Sequence, residues 1–109
     1  MTAFIRGQFY LVCLEKGGFL ALSAKCTHLG CTLPWDEEKK QFICPCHSSK
    51  FDITGDVLSA PAPRALDIFP VEILNQTVRV DLGRRIQRKG FAKDQLVFPE
   101  SVTSKPKTG

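Results

Sequence analysis

Apolar residues along this chain fall in short runs separated by turn residues, and no segment repeats them with helical spacing. Phe9 to Leu14 is an apolar, aromatic-rich run, Glu15-Lys16-Gly17-Gly18 supplies a turn, and Phe19 to Ala24 is a second run. The pair predicts a β-hairpin. The opening Phe4-Ile5-Arg6 is also strand-like. Further on, Asp36-Glu37-Glu38-Lys39-Lys40 reads as a solvated polar turn before a short strand at Gln41-Phe42-Ile43, and Asp52 to Leu58 carries a turn at Thr54-Gly55-Asp56. Ala60-Pro61-Ala62-Pro63 excludes a helix or a central strand, because proline lacks the N–H and fixes φ. Leu66 to Leu74 and Thr77 to Leu82 are expected as two more strands joined at Asn75-Gln76. From Gly83 the pattern weakens; Phe91 to Phe98 is expected to pack back, and Glu100 to Gly109 to fray. The expected fold class is all-β: a small antiparallel domain, sandwich- or barrel-like, with the cysteine-rich loops inserted into a β base.

Length and charge narrow this picture. The chain has 109 residues, enough for one domain. So small a domain buries little core, so a cofactor or cross-link would help it stay folded. The net charge is +4. Much of the excess lies in Arg84, Arg85, Arg88, Lys89, Lys93, Lys105 and Lys107, so residues 84–109 are read as a basic, solvated C-terminal extension of a domain spanning 1–83. An acidic protein or nucleic acid would be attracted to such charge, but no nucleic-acid partner is expected. No apolar run approaches the roughly 18 residues of a membrane helix, and no signal-peptide pattern follows Met1. A soluble domain is expected, reaching a membrane only through a partner or a lost N-terminal anchor.

Five cysteines are many for this length. Cys13 stands alone in an apolar run and is expected to be a buried structural thiol. The other four, with both histidines, fall in two blocks: Cys26-Thr27-His28-Leu29-Gly30-Cys31 and Cys44-Pro45-Cys46-His47-Ser48-Ser49. Each block lies between β segments and is read as a loop. Two such loops from neighbouring hairpins can bring two thiolates and two imidazoles to one point. That donor set could hold zinc tetrahedrally, or a 2Fe–2S cluster with the thiolates on one iron and the imidazoles on the other. Cysteine and histidine alternate here as C-x-H and C-x-x-H, with fifteen residues between His28 and Cys44. The usual zinc finger groups its cysteines together and its histidines together.

The double motif resembles the Rieske family, over roughly residues 4–83, with the cluster-binding part at about 25–64. It is most similar to the subgroup with an extra cysteine in each block, as in the iron–sulfur subunit of cytochrome bc-type quinol oxidases. The resemblance implies a Rieske-type 2Fe–2S cluster, with Cys26 and Cys44 on one iron and His28 and His47 on the other. It also implies a Cys31–Cys46 disulfide tying the loops together. Ser49 matches a family serine whose hydroxyl donates to a bridging sulfide. Phe51 falls where high-potential members carry a tyrosine that donates to a ligand thiolate. Phe51 cannot donate, so the potential is expected below that of tyrosine-bearing members. Ala60-Pro61-Ala62-Pro63 resembles the family's Gly-Pro-Ala-Pro loop covering the cluster, which places Pro61 and Pro63 around it. Ala60 and Ser48 stand where the family has glycine, which questions local backbone geometry but not ligation. Leu29 corresponds to the apolar tip that docks at a quinol site.

The implied function is an electron-transfer subunit, not catalytic alone, that accepts an electron and a proton from quinol and passes the electron to a cytochrome. Replacing two thiolates by neutral imidazoles raises the potential, to about −150 to +300 mV against about −400 mV for all-cysteine plant-type clusters. Reduction should raise the imidazole pKa, so electron uptake favours proton uptake at His28 or His47. The implied partners are quinol and a membrane cytochrome b/c complex. A disulfide implies an oxidising compartment, hence the periplasmic or outer membrane face. The alternatives are the small Rieske subunit of a molybdenum oxidoreductase such as arsenite oxidase, and a structural zinc module. A Rieske oxygenase would need further histidines for a second iron, and this chain has only two.

Overall fold

A computed structural model describes residues 2–4 (backbone), 8–14, 17–27, 30–46, 48–60 and 62–99. Among them there is no α-helix. Ten strands run in chain order: β1 (Thr2–Phe4), β2 (Phe9–Cys13), β3 (Phe19–Ser23), β4 (Trp35–Asp36), β5 (Gln41–Ile43), β6 (Lys50–Phe51), β7 (Val57–Ser59), β8 (Ile68–Phe69), β9 (Val71–Leu74) and β10 (Thr77–Val80). They form a base sheet in the order β1-β2-β3-β8, a second four-stranded sheet β4-β5-β6-β7, and the β9-β10 hairpin. All pairings are antiparallel. The expected all-β class and inserted subdomain are what the chain adopts.

In the β2–β3 hairpin Cys13 pairs with Phe19, and Leu14 N–H donates to Gly18 O at 2.8 Å. Of the expected turn, Glu15 and Lys16 lie outside the described residues. Strand β3 sits between two neighbours and is buried from Leu20 to Ser23. Alternation sends Leu20 and Leu22 to the main core with Val12, Leu33, Phe42, Phe51 and Leu66. It sends Ala21 to a smaller core on the opposite face with Phe9 and Phe69. Phe42 bridges the sheets, because its ring lies 4.8 Å from Tyr10 of the base and 4.7 Å from Trp35 of β4.

Three expectations change. Leu66 to Leu74 is not one strand: Pro70 divides it, so β8 joins the base while β9 pairs with β10 through a turn at Asn75 and Gln76, both at positive φ. Pro70 has no N–H for a ladder. Cys13 is exposed, not buried; it follows buried Val12, and strand alternation turns it to the other face. The basic segment after Gly83 is not a uniformly solvated tail. Ile86 pairs with Ile68 and Val97 with Phe19, and, as expected of Phe91 to Phe98, Phe91 and Leu96 pack on the main core. Arg88 is buried, 8% exposed. Its Nε donates to Leu66 O at 2.6 Å, and its other nitrogens reach Gln95 Oε1 at 2.7 Å and Thr54 O. Burial pushes its pKa down and the charges of Asp56, Asp52 and Asp67 oppose that; the guanidinium stays ionised. The expected fraying of Glu100 to Gly109 lies outside the described residues.

Candidate metal centre

The two cysteine blocks fold into equivalent loops at the end of the β4–β7 sheet. In the first, Cys26 N–H donates to Cys31 O and Gly30 N–H donates to Cys26 O, both at 2.8 Å. In the second, Cys44 N–H donates to Ser49 O at 2.8 Å and Ser48 N–H donates to Cys44 O at 2.9 Å. Each six-residue loop is thus closed by the same pair of backbone bonds. The fifth position of each is left-handed, at φ 76° for Gly30 and 64° for Ser48. The serine therefore keeps the geometry that glycine adopts freely, at a cost of about 1 kcal/mol or more.

Cys31 and Cys46 form a disulfide, with Cα atoms 6.7 Å apart. Cys44 Sγ lies within 4.8 Å of both bridged sulfurs. This trio is not itself a metal site, because bridged sulfurs are not thiolates. Besides exposed Cys13, the free thiols are those of Cys26 and Cys44, which are 3% and 1% exposed. Cys26 and Cys44 belong to the main core, yet neither Sγ has a hydrogen-bond partner among the described residues. Ser49 is fully buried, and its Oγ accepts from Ala62 N–H at 3.1 Å. Its own proton has no acceptor among the described residues. Two buried thiols and one buried hydroxyl proton are thus without a partner among the described residues, the pattern of a site that an added group completes.

Ala62 and Arg64 are tied to the two loops. Ser49 holds Ala62, and Thr27 Oγ1 donates to Arg64 O at 2.7 Å. Thr27 was not singled out from sequence; a hydroxyl between two chemically committed residues is the only local signal it gives. Ala62 is buried and Pro63 is exposed. Phe51 is fully buried in the same core as Cys26, Cys44 and Phe42. His28, Leu29, His47 and Pro61 lie outside the described residues.

A family model described as the Rieske [2Fe-2S] domain matches residues 1–70. The chain belongs to the Rieske family. It is 47% identical over 73 residues to the cytochrome b6-f complex iron-sulfur subunit of Prochlorococcus marinus (strain MIT 9215), covering 65% of this chain and 41% of that protein. It is 44% identical over 71 residues to the cyanelle cytochrome b6-f complex iron-sulfur subunit 2 of Cyanophora paradoxa, covering 63% and 30%. This Rieske chain therefore spans about two fifths or less of these relatives' length. The crystal structure of the cyanobacterial plasma membrane Rieske protein PetC3 from Synechocystis PCC 6803 superposes with a TM-score of 0.61 at 31% identity, over 73% of this chain and 82% of that one. The cofactor is accordingly a Rieske 2Fe–2S cluster, and zinc is set aside. The donors present fit it: sulfur at Cys26 and Cys44, and a spare hydroxyl proton at Ser49.

Proposed function

We propose that this domain is an electron-transfer module that accepts an electron, together with a proton, from a quinol and passes the electron to a cytochrome of a membrane cytochrome b/c complex. The observation that carries the reading is the matched pair of self-closed loops, each presenting one buried thiol without a partner among the described residues. Cys26 and Cys44 would bind one iron, and His28 and His47 the other, within a cluster-binding part at about 25–64 of a unit spanning 1–83. When bound, the cluster supplies one-electron redox chemistry at a potential raised by neutral imidazole ligation. The chain's own part is to exclude water from the two thiols, to aim the Ser49 hydroxyl, and to hold the cover of Pro61, Ala62 and Pro63 in place. Leu29 would form the apolar contact with the quinol-binding partner. Phe51 offers no donor to a ligand sulfur, which argues for a potential below that of tyrosine-bearing relatives.

The names of the relatives favour this reading over a molybdenum oxidoreductase subunit, since those proteins are described as cytochrome b6-f iron-sulfur subunits. The disulfide supports an oxidising location at the periplasmic or outer membrane face. No helix among the described residues is long and apolar enough to cross a membrane. The test is a redox titration followed by EPR over a range of pH, with iron and acid-labile sulfide assayed on the same sample. Two irons and two sulfides per chain are expected, with a potential that falls at alkaline pH and reduction by a short-chain quinol. Zinc in place of iron sinks the cluster; a pH-independent potential with no quinol reduction sinks the quinol reading alone.

A further inference from the structure

Away from the cluster loops, the base sheet and the segment after β10 enclose a cleft of about 280 Å³ between Ser23, Lys25, Gln8 and Phe69 on one side and Leu82, Gly83 and Arg85 on the other. Its side chains include three donors: the Ser23 hydroxyl, the Lys25 ammonium and the Arg85 guanidinium. Ser23 is only 2% exposed, and its Oγ accepts from Lys25 N–H at 3.3 Å, while the hydroxyl proton finds no acceptor among the described residues. The Lys25 ammonium has no ion-pair or hydrogen-bond partner there either. Arg85 Nε lies 3.3 Å from Asp67 Oδ2, but the other oxygen of Asp67 is held by Arg64 at 2.7 Å. One carboxylate between two guanidinium groups leaves that trio at net +1; Lys25 adds one positive charge, and Asp81, which accepts from Gly83 N–H at 2.9 Å, takes one away, so the local charge is +1. An unsatisfied buried donor beside uncompensated cations calls for an anionic acceptor.

We propose that this cleft binds a phosphate group, with Lys25 and Arg85 meeting its charge, Ser23 donating its hydroxyl proton to one oxygen, and the Gln8 amide donating to another. Phe69 and Leu82 give the cleft an apolar side against which an organic substituent of a phosphate ester can lie. Leu82 is 46% exposed, so the mouth of the cleft carries apolar surface beside cationic groups. The same chemistry suits a free phosphate and an anionic phospholipid headgroup at a membrane surface.

The cluster-loaded protein decides this by thermal melts against inorganic phosphate at constant ionic strength, with chloride as control. Vesicle flotation is run in parallel, comparing phosphatidylcholine alone with phosphatidylcholine plus phosphatidic acid. A saturable rise in Tm with phosphate is expected, with half-saturation weakened at least tenfold in Lys25→Gln and in the Lys25→Gln/Arg85→Gln pair. Because Arg85 also touches Asp67, Lys25→Gln alone carries the test if the double variant folds poorly. Flotation with phosphatidic acid that free phosphate reverses assigns the headgroup as the source, whereas saturable phosphate binding without flotation assigns free phosphate. A response that never saturates, or that Lys25→Gln leaves unchanged, overturns the site.

Discussion

Arg88 is the residue whose replacement tests the architecture most directly. Its guanidinium joins Leu66 O, Thr54 O and the Gln95 amide oxygen, so one side chain ties the turn after β6, the segment leading into β8, and the C-terminal segment. Arg88→Met keeps most of the aliphatic volume and removes the donors. Leu66 is fully buried and its carbonyl loses this partner, while Thr54 is half-buried and recovers some hydration. Two stranded carbonyls at about 1–3 kcal/mol each, reduced by relaxation at Thr54, give about 3 kcal/mol. Asp52 and Asp56 also lose the nearby positive charge. For a domain stable by roughly 5–15 kcal/mol this is a large share, and it lowers Tm by roughly 12–24 °C. Thermal unfolding followed by far-ultraviolet circular dichroism reads the shift. Arg88→Lys restores less than half of it, since an ammonium is a point donor and cannot span the same acceptors. A Tm for Arg88→Met within about 4 °C of the parent refutes the staple.

The remaining expectations concern the cluster loops. Phe51→Tyr raises the reduction potential by about 40 mV if its hydroxyl donates to a ligand sulfur, taking about 1 kcal/mol as the difference between redox states; Ser49→Ala lowers it by a similar amount, and protein-film voltammetry on variants with intact EPR signals reads both. Alkylation of the native protein followed by mass spectrometry should leave Cys31 and Cys46 unlabelled until a reductant is added, whereas exposed Cys13 takes the label at once. Ser48→Gly removes the cost of a left-handed serine and raises Tm by a few degrees, about 1 kcal/mol; no change would mean that the position is free to relax.

Local chemistry made much of this protein legible. Turn residues and short apolar runs marked the β2–β3 hairpin and the join at Asn75-Gln76, and the alternation of cysteine and histidine marked the two loops. What stayed hidden depends on partners far away in sequence. Arg88 reads as one more charge in a basic segment because its acceptors lie 22 and 34 residues upstream. Thr27 reads as a spacer because its acceptor lies 37 residues downstream. The side of the strand that Cys13 occupies depends on which face of β2 meets the core, and a short apolar run carries too little alternation to show it. Pro70 could have divided the Leu66 to Leu74 run on its own chemistry, since a residue without an N–H weakens any strand drawn through it.

The ties around the site form a closed set. Each cysteine loop is fixed internally by its own backbone bonds, so what must still be fixed is the placement of three segments relative to one another: 26–31, 44–49 and 60–64. The disulfide joins the first to the second, the Thr27 hydroxyl joins the first to the third, and the Ser49 hydroxyl joins the second to the third. Cutting any one tie leaves all three segments connected through the other two; cutting two frees a segment. Losses should therefore be more than additive, because the groups act on one shared geometry. Thr27→Val alone, and Cys31→Ser/Cys46→Ser alone, should each retain the cluster with a modest fall in Tm. The combination should lose stability beyond the sum of the two, by about 1 kcal/mol or more, and should release iron faster in the presence of a chelator. A full double-mutant cycle of Tm and iron-release rates measures the coupling. Strict additivity would mean that the segments are held by the underlying sheet instead, and that the ties act independently.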